Sequence, residues 1–166
     1  MATYQPEDIT FADRAPITAE GVGIVAGTPA EVWAALVDYP AWPTWFGNLK
    51  SCEPTSTPAT GIGSTRRVVL TGGIAFDERF IAWDEGELWS FTVISGPPVF
   101  NRLVERVTIT PLDERRTEVR YRMAIEPRTG FGPLIKLIRG GIEKNLTKAM
   151  RNLNGEVASR RSAPAT

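Results

Sequence analysis

The chain has 166 residues, 42% of them hydrophobic and 23% charged, with 19 basic and 19 acidic side chains. That is the size of one domain with a sizeable core; its composition excludes wholesale disorder, and its zero net charge gives no overall attraction to nucleic acid. It contains no histidine, which excludes an imidazole general base, an imidazole-completed Ser or Cys triad and His-ligated zinc.

Residues 1–16 are polar and carry prolines, with Ile9 and Phe11 as the only apolar anchors, and read as a loose arm. Thr18 to Ala26 alternates and is rich in β-branched residues, which predicts a first strand. Thr28-Pro29-Ala30-Glu31 then carries the parts of a helix start: a capping Thr, Pro at the first helical position, and Glu closing a capping box. Val32, Trp33, Leu36 and Val37 form its apolar face. Pro40 and Pro43 stop it and leave room for one more short helix ending near Trp45-Phe46.

From Leu49 to Glu126 the chain reads as consecutive strands, with turns at Gly72-Gly73, Asp84-Glu85-Gly86, Gly96-Pro97-Pro98 and Asp113-Glu114. With no helical period between them, the expectation is an antiparallel meander. After Pro133 the apolar residues Leu134, Ile135, Ile138, Ile142, Leu146, Ala149, Leu153 and Val157 recur at three and four, one face of a helix of about 27 residues. Gly140-Gly141 interrupts it, and a kink, a break or a close contact would explain the pair. The expected organisation is one domain over 17–160 and a frayed tail over 161–166. No apolar run reaches the roughly 20 residues that cross a bilayer, and the N-terminus lacks the pattern of a secretory signal; the expected location is cytoplasmic.

Strand alternation carries the functional reading. Val119, Tyr121, Met123 and Ile125 share one face, as do Trp89, Phe91 and Val93. Placing Val68 and Leu70 inside brings Arg66 with them; Phe76 and Phe80 bring Glu78; Leu103, Val107 and Ile109 bring Glu105. Such charges are structural ion pairs, products of a register one residue off, or a polar anchor inside an apolar cavity. Arg66 and Glu78 are placed to meet across a tight hairpin. The candidate ligand-binding set is Trp45, Phe46, Arg66, Val68, Phe76, Glu78, Phe80, Trp89, Phe91, Glu105, Tyr121, Met123, Ile138 and Ile142, with Arg66, Glu78 and Tyr121 as candidates for any chemistry. No metal site or cofactor is expected. Gly61-Ile62-Gly63 precedes a strand and makes a poor phosphate loop, and Cys52 reads as a small buried residue.

The segments TPAEVWAALVDYPAWPTW (28–45), GIGSTRRVVL (61–70), DERFIAWDEGELWSF (77–91) and RRTEVRYRMAIEP (115–127) resemble the superfamily of START, birch-pollen-allergen and polyketide-cyclase domains (SRPBCC proteins), and its polyketide cyclase/dehydrase-like branch in particular. The resemblance implies an α+β helix-grip fold: a curved antiparallel seven-stranded sheet wrapped around a long C-terminal helix, with two short helices between strands 1 and 2 and a cavity inside. Arg66 and Glu78 stand where that branch often carries Arg and Glu. Fold analogy does not choose a function. Three remain: a binder of a hydrophobic small molecule such as a lipid, polyketide or isoprenoid; an aromatase/cyclase or dehydratase; and a protein-interaction module. The expected partner is a hydrophobic small molecule, with no nucleic acid and no transmembrane segment. Weak contact of the basic last helix with an anionic membrane surface stays open, as does the choice between monomer and homodimer.

Overall fold

The structure of the protein, a computed structural model, describes residues 1–162. The chain runs β1 (Ala2–Thr3), α1 (Phe11–Arg14), β2 (Ile17–Val25), α2 (Pro29–Val37), a 3₁₀ turn (Tyr39–Ala41), α3 (Trp42–Trp45), β3 (Leu49–Pro54), β4 (Thr65–Leu70), β5 (Ala75–Asp84), β6 (Leu88–Gly96), β7 (Phe100–Asp113), β8 (Arg116–Pro127) and α4 (Gly132–Ser162). Seven strands form one curved antiparallel sheet in the order β2-β8-β7-β6-β5-β4-β3, and β1 adds a short rung to β6. This is the helix-grip architecture.

The start of α2 is built as its sequence dictates. The Thr28 hydroxyl accepts from Glu31 N, and the Glu31 carboxylate accepts from Thr28 N at 2.8 Å. The β4–β5 hairpin differs slightly from expectation. Leu70 N donates to Ile74 O and Gly73 N to Leu70 O, so the turn is Thr71-Gly72-Gly73, with both glycines at positive φ; an L side chain is strained there.

α4 crosses the sheet at β2 and can do so because β2 presents glycines. A Cβ on Gly21 would lie 2.4 Å from the Leu146 carbonyl carbon, and one on Gly23 would lie 2.7 Å from Met150 Cβ. Only bare backbone lets helix and strand approach so closely. Leu146, Ala149, Met150, Leu153 and Val157 of α4 are buried as a result. The far end of α4 is clamped by charge: Arg161 pairs with Glu31 at 2.9 Å, and Arg160 with Asp38 and Glu156. These arginines are helical and engaged, Arg161 where the start of a frayed tail was expected; the rest of that tail, 163–166, lies outside the described residues. Gly140 and Gly141 meet nothing within 4 Å, and α4 runs through them unbroken, so neither a close contact nor a break accounts for them.

The segment expected as a loose arm packs on the sheet. Tyr4 is buried and donates to the Pro97 carbonyl, while Phe11 and Ala12 close a small second core with Val104 and Ala124 on the outer face. Ile9 is only half-buried. No helix among the described residues is long and apolar enough to cross a membrane.

Candidate ligand-binding cavity

Strand alternation delivers the inward set without a register slip. β4 and β5 pair Arg66 with Glu78 and Val68 with Phe76; β6 and β7 pair Phe91 with Glu105; β7 and β8 pair Glu105 with Met123 and Val107 with Tyr121. The sheet, α3 and the middle of α4 do not close completely. They leave a cavity of about 220 Å³ walled by Trp42, Phe46, Leu49, Val68, Leu70, Phe76, Val93, Phe100, Leu103, Met123 and Ile142. Its polar lining consists of Arg66, Glu78, Glu105 and Tyr121.

Arg66 has no exposed surface. Its Nε donates to Glu78 Oε2 at 2.6 Å, and its guanidinium carbon lies 4.3 Å from the Trp42 ring centroid and 4.7 Å from that of Phe91. Tyr39, Phe80 and Trp89 complete the aromatic surround, a setting in which cation–π attraction offsets part of the lost hydration. Neither Nη has a hydrogen-bond partner among the described residues, and Nη1 is fully buried. Burial works most strongly against the Arg66 charge, but Glu78, with Cys52 and Tyr121 beside it, outweighs it and holds the guanidinium protonated. For Glu78, burial pushes the carboxyl up and Arg66 pulls it only part of the way back, so it stays above the ordinary carboxylate range.

Glu105 is the unusual acid. Burial first, then the neighbouring Glu78 charge, push it up to about 8, against the opposing pull of a Tyr121 hydrogen bond and Arg66. Tyr121 donates to Glu105 Oε2, and burial together with Glu105 raises its own phenol well above the ordinary range. Glu78 is thus the carboxyl that meets the Arg66 charge, at 2.6 Å, while Glu105 sits as a neutral acid at neutral pH beside a neutral phenol.

Of the sequence-derived candidates, Phe46, Arg66, Val68, Phe76, Glu78, Glu105, Tyr121, Met123 and Ile142 line the cavity. Phe80, Trp89 and Phe91 stand behind Arg66 as its aromatic surround and do not reach the wall. Trp45 is buried off the cavity, under α4, where its carbonyl accepts from Asn152 and its indole nitrogen is unbonded. Ile138 is 43% exposed and does not line the cavity. The candidate set lacks Trp42, Leu49, Leu70, Val93, Phe100 and Leu103. Leu70, Val93 and Leu103 lie on faces that the sequence marks as interior. Phe100 does not: a bulge between Phe100 and Arg102 shifts the register and reverses the parity counted back from Leu103.

A second, larger hollow of about 1080 Å³ lies between α2 and the β5–β6 turn. It is an open groove, and its carboxylates Asp84, Glu85 and Glu87 are exposed. Hydrated charges cost little to keep and fix no ligand. The smaller cavity, where the buried Arg66 Nη1 has no hydrogen-bond partner among the described residues, is the stronger candidate.

Fold and cavity together define a helix-grip protein. The chain belongs to the family described as polyketide cyclase/dehydrase and lipid transport, which matches residues 16–158. A stretch of 76 residues is 36% identical to the uncharacterized protein Rv2574 of Mycobacterium tuberculosis and, equally, to Mb2604 of Mycobacterium bovis. It covers 46% of this chain and 46% of each relative, so the chain spans about half the length of the curated relatives it matches. Among solved structures, the Zhui aromatase/cyclase of Streptomyces sp. R1128 superposes with a TM-score of 0.74 at 15% identity, covering 87% of this chain and 95% of that one. A START superfamily protein from Mycobacterium smegmatis superposes with a TM-score of 0.71 at 19% identity, covering 86% and 98%. At such identities the likeness establishes the fold.

Proposed function

We propose that the protein holds a small, mostly apolar molecule in the cavity between sheet and α4, its polar end turned toward Arg66, Glu78, Glu105 and Tyr121. The observation that carries this reading is the buried Arg66 Nη1, without a hydrogen-bond partner among the described residues, at the wall of a largely apolar hollow. An unpaired buried donor costs on the order of 1–3 kcal/mol, a cost that a guest with an acceptor oxygen removes. Burial of the guest's apolar surface supplies the affinity, about 25 cal/mol per Å². Membership of a family that includes lipid transport agrees with it. The test is Met123→Trp, which puts an indole into the hollow. Native mass spectrometry of wild-type protein incubated with a panel of small apolar compounds should show one-to-one complexes that Met123→Trp loses while keeping its circular-dichroism spectrum. Equal uptake by both proteins would refute the reading.

A second reading, an aromatase/cyclase or dehydratase, is favoured by Glu105. A carboxylic acid still protonated at neutral pH is a competent proton donor, and Arg66 stands ready to stabilise a developing enolate. Turnover of a poly-ketone substrate that survives both Arg66→Ala and Glu78→Ala would dispose of it. The hollow interior gives no support to a protein-interaction module, which favours an interior filled by its own side chains.

A further inference from the structure

The size and the hydrogen-bonding sense of the cavity narrow the guest. We infer that it is a neutral carbonyl compound of about nine non-hydrogen atoms, seated with its carbonyl oxygen between the Arg66 guanidinium and the Glu105 carboxyl. This rests on the cavity being a binding site and adds to that reading what the site selects.

Size comes first. A dry cavity of about 150 Å³ holds benzene, six heavy atoms; by the same packing, about 220 Å³ holds about nine. A sterol or a long acyl chain exceeds that volume.

The sense of the hydrogen bonds comes next. A guanidinium donates and never accepts, and both Arg66 Nη nitrogens are without a protein partner among the described residues. Glu105 receives the Tyr121 hydroxyl on Oε2, which leaves its acid proton on the other oxygen to donate. Both donors call for an acceptor oxygen on the guest, while Glu78 Oε1, unbonded among the described residues, stays beside them as an acceptor.

Charge decides between a carbonyl and a carboxylate. Glu78 already neutralises Arg66. An anionic guest would add an uncompensated buried charge beside Glu78, at a cost the hollow has no second cation to offset. A neutral carbonyl adds none. Glu105 is faced by Arg66 from β4, Glu78 from β5 and Tyr121 from β8; β6 offers Val93, and α3 and α4 offer Trp42 and Ile142, none of which titrates. Ionisation of Glu105, centred on about 8, removes one of the two donors, so affinity falls as pH rises.

The experiment is calorimetric titration of the full chain with acetophenone, which has nine heavy atoms. Ethylbenzene (no oxygen), benzoate (the anion) and progesterone (more than twice the size) serve as comparators. Acetophenone should bind at least tenfold more tightly than ethylbenzene or benzoate at pH 7, and about tenfold more weakly at pH 9 than at pH 7. Glu105→Gln, whose amide keeps a donor and an acceptor, should bind acetophenone with the pH step gone. Equal binding of ethylbenzene, or tighter binding of benzoate, overturns the inference, and a flat wild-type pH profile overturns the part given to Glu105. If progesterone binds and acetophenone does not, the size class is wrong while the cavity remains a binding site. If none of the four binds, the proposed function itself falls.

Discussion

Glu105 ties the pH behaviour of the fold to its interior. Its folded value of about 8 lies above the ordinary 4.5, so the folded protein holds that proton more tightly than the unfolded chain does. The contribution to stability is full below pH 4.5, declines as pH rises toward 8, and levels off above it. Glu105→Gln removes the titration. Denaturant unfolding should therefore show the variant little different from wild type at pH 5 and more stable by on the order of 4 kcal/mol at pH 9; a difference constant across pH would mean that Glu105 is ionised in the fold. At this scale much of the cavity lining was legible in the sequence. Arg66, Glu78 and Glu105 each share strand parity with apolar neighbours, and parity survives wherever the ladder is regular. It failed at Phe100, where a bulge resets the count. Aromatic type alone did not separate wall from support: Phe80, Trp89 and Phe91 point inward as expected, yet Arg66 stands between them and the cavity.

Among the elements, α4 and its glycines give opposite expectations at two places. Gly21 and Gly23 hold β2 against α4 by backbone approach, so Gly21→Ala should lower stability by about 1–3 kcal/mol or more, since overpacking against backbone has no easy relief. Gly140 and Gly141 lie in open space on a helix, so Ala at either should raise stability by about 0.5–1 kcal/mol. Thermal unfolding of the three variants checks both; a neutral Gly21→Ala would mean that α4 sits farther from the sheet. The existence and order of the elements were readable because capping boxes, prolines and helical period are local. The contact between β2 and α4 joins residues 125 positions apart along the chain, and nothing local in Gly21 marks it.

At the scale of the whole molecule, a sheet held at both ends leaves its middle unfilled. Arg160 and Arg161 fasten the C-terminal end of α4 to α2, Gly21 and Gly23 seat its central turns, and the N-terminal segment covers part of the outer face of the sheet. Ile142 stands over the gap that remains. The most direct measurement is diffraction from crystals pressurised with xenon, which enters dry apolar cavities. A strong anomalous peak among Val68, Leu103, Met123 and Ile142 is the expected result. A solid interior at that place, with those side chains in mutual contact and no xenon between them, would contradict the account.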